Sequence, residues 1–348
     1  MRFEPPRCPN VACAAHHEPP AGFFTRSGSY VAACHDQPVP RFRCRSCKKS
    51  FSRQTFRHSR GDRRPECNVP LLELLVSGVG LRKAAELLRL DVHSVQKKKL
   101  KIGRSCSWLH ANLAPRLPEG RTFLLDEEES YEGASIRPLT VPLLIEQRTW
   151  FLVAATAGSI RRLAARGTKR RQRQERDERK RGRRLDESNA CVERVLGELA
   201  RRTSGQLTLH TDEKRAYRTI AQRVLAPRLT HLTTPGRAPR NQHNPLFAIN
   251  VTIAMTRDYC GRLRRRSWLV SKKKERLQNH LHIYIAYRNY VRRRFQRDDE
   301  NQTAAVMLGL LPRNLTFAET IAWRQDWGPR SVHPLSSDGS RSIAQVAV

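Results

Sequence analysis

Between residues 121 and 295, short apolar runs of strand length alternate with segments of helical period. Their order, β-β-β-α-β-α-β-α, restricts the fold more than any other feature of the chain. Strands are expected at Arg121–Leu125, Leu139–Glu146 and Trp150–Ala157, joined through Glu132–Arg137 and Gln147–Thr149 as a meander. A helix with Val192, Val195, Leu196 and Leu199 on one face follows over 188–202. Then come a strand (Gln206–Thr211), a helix (Ala216–Leu225), a strand (Arg228–Thr233), a loop over 234–245 and long helices near 246–265 and 274–295. Asp126 and Asp212 each leave the end of an apolar strand in this series. Acids at strand ends are common singly. As a pair in this order, held rigidly by a sheet, they suit divalent metal and an in-line phosphoryl transfer.

The first sixty residues have a different character, rich in Cys, Pro, Arg and aromatics without a helical period. Cys44 and Cys47, in Cys44-Arg-Ser-Cys47, have the two-residue gap of a zinc knuckle. Cys8 and Cys13, with four residues between them, are the natural partners, and Cys34, His35, His16 and His17 are spare donors. Zinc would supply the core that such a segment lacks. Arg41, Phe42, Arg43, Phe51 and Phe56 interleave bases with aromatics, as a ribbon lying on DNA would. Over 68–104, apolar helices at Leu71–Val76 and Leu81–Leu88 flank Ser77-Gly78. Asp91 is placed to cap a third, Val92–Ile102, that carries Lys97 and Lys98. That pattern reads as a helix-turn-helix with a basic third helix. Residues 105–120, with Pro115 and Pro118, read as a linker.

Charge narrows the partners. Lys and Arg total 66 against 32 acids, for a net +34, which a polyanion neutralises and which steers association with nucleic acid. No apolar run approaches the ~18–20 residues that span a bilayer. The N-terminus lacks the apolar stretch of a secretory signal. Nine cysteines, five of them within the first fifty residues, fit metal binding in a reducing compartment better than a disulfide framework. Cytoplasmic placement with the nucleoid is therefore expected. Residues 161–184 hold thirteen Arg or Lys and three acids, and they read either as a solvated helix or as a disordered arm that contacts phosphates without sequence preference. Arg264, Arg265, Lys272 and Lys273 stand in a basic run beside the acid pair and are expected to hold a DNA backbone. Arg288, Arg292, Arg293 and Arg294 follow, interleaved with Tyr284, Tyr287 and Tyr290; core packing suits Tyr284 and Tyr287 better than stacking on bases. The tail from about 329 is polar and expected to be disordered.

CPNVAC with RFRCRSCKKSFSRQTF, LLELLVSGVGLRKAAELLRLDVHSV, LLDEEESYEG, LHTDEKRAY and NPLFAIN with the basic helices after it together resemble the insertion-sequence transposases of the DDE type. The resemblance covers roughly residues 8 to 328. It implies a multi-domain chain: a zinc ribbon over 1–60, an all-α helix-turn-helix over 68–104, an α/β ribonuclease-H-like mixed sheet flanked by helices over 121–297, and a helical C-terminal extension over 298–348. It also implies that Cys8, Cys13, Cys44 and Cys47 hold Zn2+ and that Asp126 and Asp212 are catalytic ligands of Mg2+ (or Mn2+). The implied partners are double-stranded DNA, as terminal inverted repeats and target, and further copies of the chain assembled on it, without a membrane. The function implied is DNA transposition, a form of DNA recombination.

One position departs from that pattern. It calls for a third acid, usually Glu, on the helix after the fifth strand, yet no acid lies between Glu213 and Asp258. Asn250 stands 38 positions after Asp212 and Asp258 two helical turns beyond. Three readings stay open: an Asn-substituted centre, a centre using Asp258, or an inert copy that only binds DNA. RNA binding from charge alone is a further class, opposed by the helix-turn-helix.

Overall fold

The computed structural model describes residues 4–10, 12–32, 37–56, 59, 61–264, 268–295, 298 and 300–322. A short helix, α1 (Ala14–His17), precedes an antiparallel three-stranded ribbon of β1 (Phe24–Tyr30), β2 (Val39–Cys44) and β3 (Ser50–Ser52). Its core is Phe23, Phe42, Phe51 and Phe56 with the cysteines. Phe42, Phe51 and Phe56 therefore do not face outward as a DNA-binding ribbon would require. A unit this small has few other apolar side chains to bury, chiefly Ala15 and Val39, so its rings turn inward. Arg41 and Arg43 alternate with Phe42 and remain exposed.

Helices α2 (Asn68–Val76), α3 (Leu81–Leu87) and α4 (Val92–Leu113) follow. Asp91 caps α4, its carboxylate accepting from the N–H of His93 at 2.8 Å and of Ser94 at 3.3 Å. The helix does not stop near residue 104. The segment read as a linker forms its last turns as far as Leu113, because Ile102, Cys106, Leu109 and Leu113 recur at helical spacing and bury their side chains. This end packs on α9 (Lys274–Ala286). Leu71, Leu75 and Ala84 of the N-terminal helices consequently share one apolar cluster with Phe123 and Leu125 of the sheet.

The sheet has six strands: β4 (Thr122–Glu132), β5 (Ala134–Glu146), β6 (Leu152–Ala155), β7 (Gly158–Ser159), β8 (Leu207–Asp212) and β9 (Leu229–Thr234). The order is β6-β5-β4-β8-β9, with β7 beside β5. β4, β5 and β6 pair antiparallel, while β8 and β9 run parallel to β4. The β4–β5 hairpin is longer than expected. It turns at Gly133 (φ 78°), and residues 134–137, read as a connector, belong to β5. Side chains alternate across the strands. Phe123, Leu125 and Leu209 face α6 (Ser188–Arg202) and α7 (Arg215–Leu225), whereas Leu124, Leu143 and Ile145 face α8 (Phe247–Tyr259) and α9. α9 continues as a π-turn over Tyr287–Val291, and α10 (Ala304–Met307) and α11 (Phe317–Ile321) complete the described chain.

The charge block contains an ordered helix, α5 (Lys169–Arg181), one of the two forms the sequence allowed. All of its side chains are polar, so polar contacts rather than apolar burial dock it: Glu178 with Arg161 at 2.8 Å, Asp177 with Arg137 at 3.9 Å, and Arg170 donating to the Ser135 carbonyl at 3.0 Å. Arg184, just past the helix, pairs with Glu132 at 3.0 Å. Asp177 and Glu178 are partly buried toward the sheet side, Glu175 is exposed and pairs with Arg171 of the same helix, and most of the cations face outward. Among the described residues no helix is long and apolar enough to cross a membrane.

Because α4 carries one core from the N-terminal helices to the sheet, Leu109→Ala is expected to cost about 2–5 kcal/mol. Circular dichroism and tryptophan fluorescence should report a single coincident transition. Two separate transitions would mean that the helices and the sheet fold independently.

Candidate catalytic face and metal centre

Thr122, Phe123 and Leu124 of β4 pair in parallel with Thr208, Leu209 and His210 of β8. Continuing that register two residues sets Asp126 beside Asp212, on adjacent strands and on the same side of the sheet. The side is that of Leu124, under α8. Asp212 accepts from the Lys214 N–H at 3.0 Å in the turn before α7, and Asp126 from the Glu127 N–H at 2.7 Å. Burial lifts Asp126 from its ordinary 3.8 to about 6; the Glu127 N–H opposes the rise, the Asp212 and Glu127 carboxylates add to it, and Arg240 opposes it. Two acids this close oppose each other's ionisation, and a divalent cation between them would relieve that.

Three residues near this face were given no site role by the sequence. Glu128, two positions after Asp126 and so on the same face of β4, is fully buried and ion-paired with Arg257 of α8. Arg257 also feels the charge of Asp126. Arg240 reaches the pair from the loop before α8. The period of two in β4 was the available signal for Glu128. Nothing local marked the two arginines, which depend on how α8 and its loop cross the sheet. On the opposite face, Glu127 pairs with Lys214 at 2.6 Å and accepts from Thr140 at 2.6 Å.

Asn250 lies two helical turns before Arg257 and so shares its face of α8. Asp258 is one residue further, about 100° around the helix, and exposed. Its carbonyl accepts from Arg264 at 3.2 Å, beside the α2–α3 turn. The structure thus places Asn250 on the helix face that carries Arg257 and turns Asp258 away from it.

The residues expected to touch DNA divide. Lys97 is exposed on α4. Lys98 is an internal anchor, its Nζ donating to the Arg64 carbonyl at 2.7 Å and the Asn68 side chain at 2.9 Å. Helical spacing alone could not separate it from Lys97. Arg264, Lys272 and Lys273 are exposed, while Arg265 lies outside the described residues. Arg288, Tyr284 and Tyr290 are fully buried, so Arg288 is not available to a backbone phosphate.

At the N-terminus, the sulfurs of Cys8, Cys13, Cys44 and Cys47 all lie within 4.8 Å of one another, with Cys8–Cys47 at 3.4 Å and Cys13–Cys44 at 3.8 Å. Four thiolates around a tetrahedral ion at Zn–S of about 2.3 Å stand about 3.8 Å apart, so this donor set fits zinc. The Lys49 N–H pulls the Cys47 thiol down to about 6, while burial pushes Cys8 up to about 12. His16, a spare donor, turns its Nδ1 to the Cys8 carbonyl at 2.7 Å instead. Cys34 and His35 lie outside the described residues.

No protein-family model matches the chain, and no curated protein matches it. Among solved structures it is similar to the simian T-cell lymphotropic virus intasome in complex with the PP2A regulatory subunit B56 gamma. The identity is 12%, covering 71% of this chain and 74% of that chain, with a TM-score of 0.33. That value is too low to establish a shared fold.

Asp126 titrates near 3.8 when unfolded and near 6 when folded. Folding takes up a proton between those values, and stability falls as pH rises through 6. Asp126→Asn is therefore expected to raise the melting temperature of magnesium-free protein at pH 8 by about 3 °C and to change little at pH 4; equal effects at both would show a solvated carboxylate. For the cysteine centre, one zinc per chain is expected by mass spectrometry under native conditions. Cys47→Ser should lose it, while Cys106→Ser, a buried thiol elsewhere, should keep it.

Proposed function

We propose that the chain is a transposase of the ribonuclease-H-like DDE type that cleaves and transfers DNA strands with divalent metal. The observation that carries this reading is the register of β4 and β8, which sets Asp126 and Asp212 side by side on one face. The strand order, an antiparallel meander followed by two strands parallel to its first, supports it, since this is the ribonuclease-H-like arrangement. A magnesium or manganese ion held there would activate a water or a 3′-hydroxyl and stabilise the leaving oxygen. The sheet holds both carboxylates in place, and Arg240 and Arg257 supply positive charge where a scissile phosphate would lie. No nucleophilic side chain is required, so the phosphodiester is attacked directly. The zinc ribbon, the N-terminal helices and the outward cations of α5 would hold element ends and target DNA, with several copies of the chain on one DNA complex.

A second reading, an inert DNA-binding protein derived from such an enzyme, is favoured by one observation. The face of α8 that carries Arg257 offers Asn250 and no acid. The two readings part on cleavage of supercoiled DNA carrying the flanks of the gene. The enzymatic reading expects nicking that needs magnesium or manganese and falls at least a hundredfold in Asp212→Ala. Salt-sensitive duplex binding with no cleavage in either protein would leave only the DNA-binding role.

A further inference from the structure

Away from the acid pair, a groove of about 1020 Å³ opens between the α2–α3 turn, the first turns of α4 and residues 261–264 and 268–276. Glycines allow its walls to meet. A Cβ on Gly78 would stand 2.4 Å from the Asp258 carbonyl, and one on Gly80 2.5 Å from Leu269. Arg82, Arg262, Arg264, Lys272, Lys273 and Arg276 line the groove, and none of its lining residues is an acid. Among the described residues, two of these cations meet neutral acceptors and no carboxylate: Arg262 donates to the Ser271 hydroxyl at 3.1 Å and Arg264 to the Asp258 carbonyl at 3.2 Å. Their charge is left for a partner.

Two further features restrict that partner. Trp268 lines the groove and is 94% exposed, the largest exposure of any described apolar side chain. An exposed indole amid cations offers a flat, electron-rich face on which a planar partner can stack. At the floor lies His280, 3% exposed. Its Nε2 meets the Leu75 carbonyl at 3.2 Å, so that nitrogen carries the proton, and its Nδ1 has no partner. The groove is thus cationic, neutral at its floor and aromatic at its mouth. Phosphates for the cations and a planar ring for the indole are both present in a nucleotide whose base is not paired. A continuous duplex keeps its base faces stacked and offers the indole nothing.

We infer that this groove binds a single-stranded stretch of DNA, with phosphates on Arg262, Arg264, Lys272 and Lys273 and a base stacked on Trp268. The inference rests on the nucleic-acid reading above and assigns the groove to strand ends, apart from the acid pair.

The test uses the full-length, zinc-loaded chain without magnesium, so that only binding is read. Fluorescence anisotropy compares a blunt duplex with the same duplex carrying a short thymine overhang. The wild-type chain is expected to prefer the overhang by about tenfold. Trp268→Ala should remove that preference while leaving blunt-duplex binding within about twofold, and Trp268→Phe should keep most of it. Exchanging Lys272 and Lys273 together for Gln should weaken both probes and lower the salt slope by about two. Equal wild-type affinity for the two probes, or a preference that survives Trp268→Ala, would overturn the inference. The outcome is separable from catalysis. An overhang preference without metal-dependent cleavage keeps the groove and removes the transposase reading, and cleavage without the preference does the reverse.

Discussion

The parallel pairing of β4 with β8 is the interaction on which the remaining structure depends. It joins an antiparallel meander to a second, parallel half of the sheet across some seventy-five intervening residues, so it is a long-range contact with a large loop-closure cost. What offsets that cost is burial on both faces: Phe123, Leu125 and Leu209 toward α6 and α7, Leu124 toward α8. A strand covered on both sides cannot slip its register without turning apolar side chains to the wrong face. That same constraint keeps two acids adjacent where their mutual repulsion would otherwise separate them.

Much of this was legible in the sequence wherever the signal was local. The cysteine spacing and the Asp91 cap are short patterns with one physical meaning each, and the structure shows the two cysteine pairs meeting and the cap formed. Asp212 ends β8 as expected, but Asp126, read as a strand end, lies within β4, because the strand runs on through acidic and polar residues as far as Glu132 and the hairpin turn. What was not legible needed contacts from elsewhere in the chain. Residues 105–113 read as a linker because Pro115 and Pro118 follow closely, but the surface that receives Cys106 and Leu109 comes from α9, more than 150 residues away. Lys97 and Lys98 are indistinguishable by composition, yet one is exposed and the other bonds inside. Phe42 suits a DNA face by its neighbours in sequence, yet the ribbon needs it, with Phe23, Phe51 and Phe56, to fill its interior. The role of Arg257 had no local sign, since it arises only where α8 passes Glu128.

The charge surplus is managed by sorting. The few acids are concentrated at points of attachment: Glu132 binds Arg137 and Arg184, Glu178 binds Arg161, and Glu187 binds Lys274. Each attaches a basic segment to the sheet or its neighbours, leaving most cations facing outward. A helix as polar as α5 has no other means of docking, because it has almost no apolar face to bury. Its attachment should weaken as salt screens those pairs, more steeply than any apolar contact in the molecule.

The three glycines where the α2–α3 turn meets the segment after α8 have a mechanical consequence. Gly78, Gly80 and Gly261 bring backbone against backbone and side chain with no space for a β-carbon, and α4 seals the same junction from within. A side chain larger than hydrogen at any of the three would wedge the helices away from the sheet, so the closeness of this junction is set by the absence of three β-carbons.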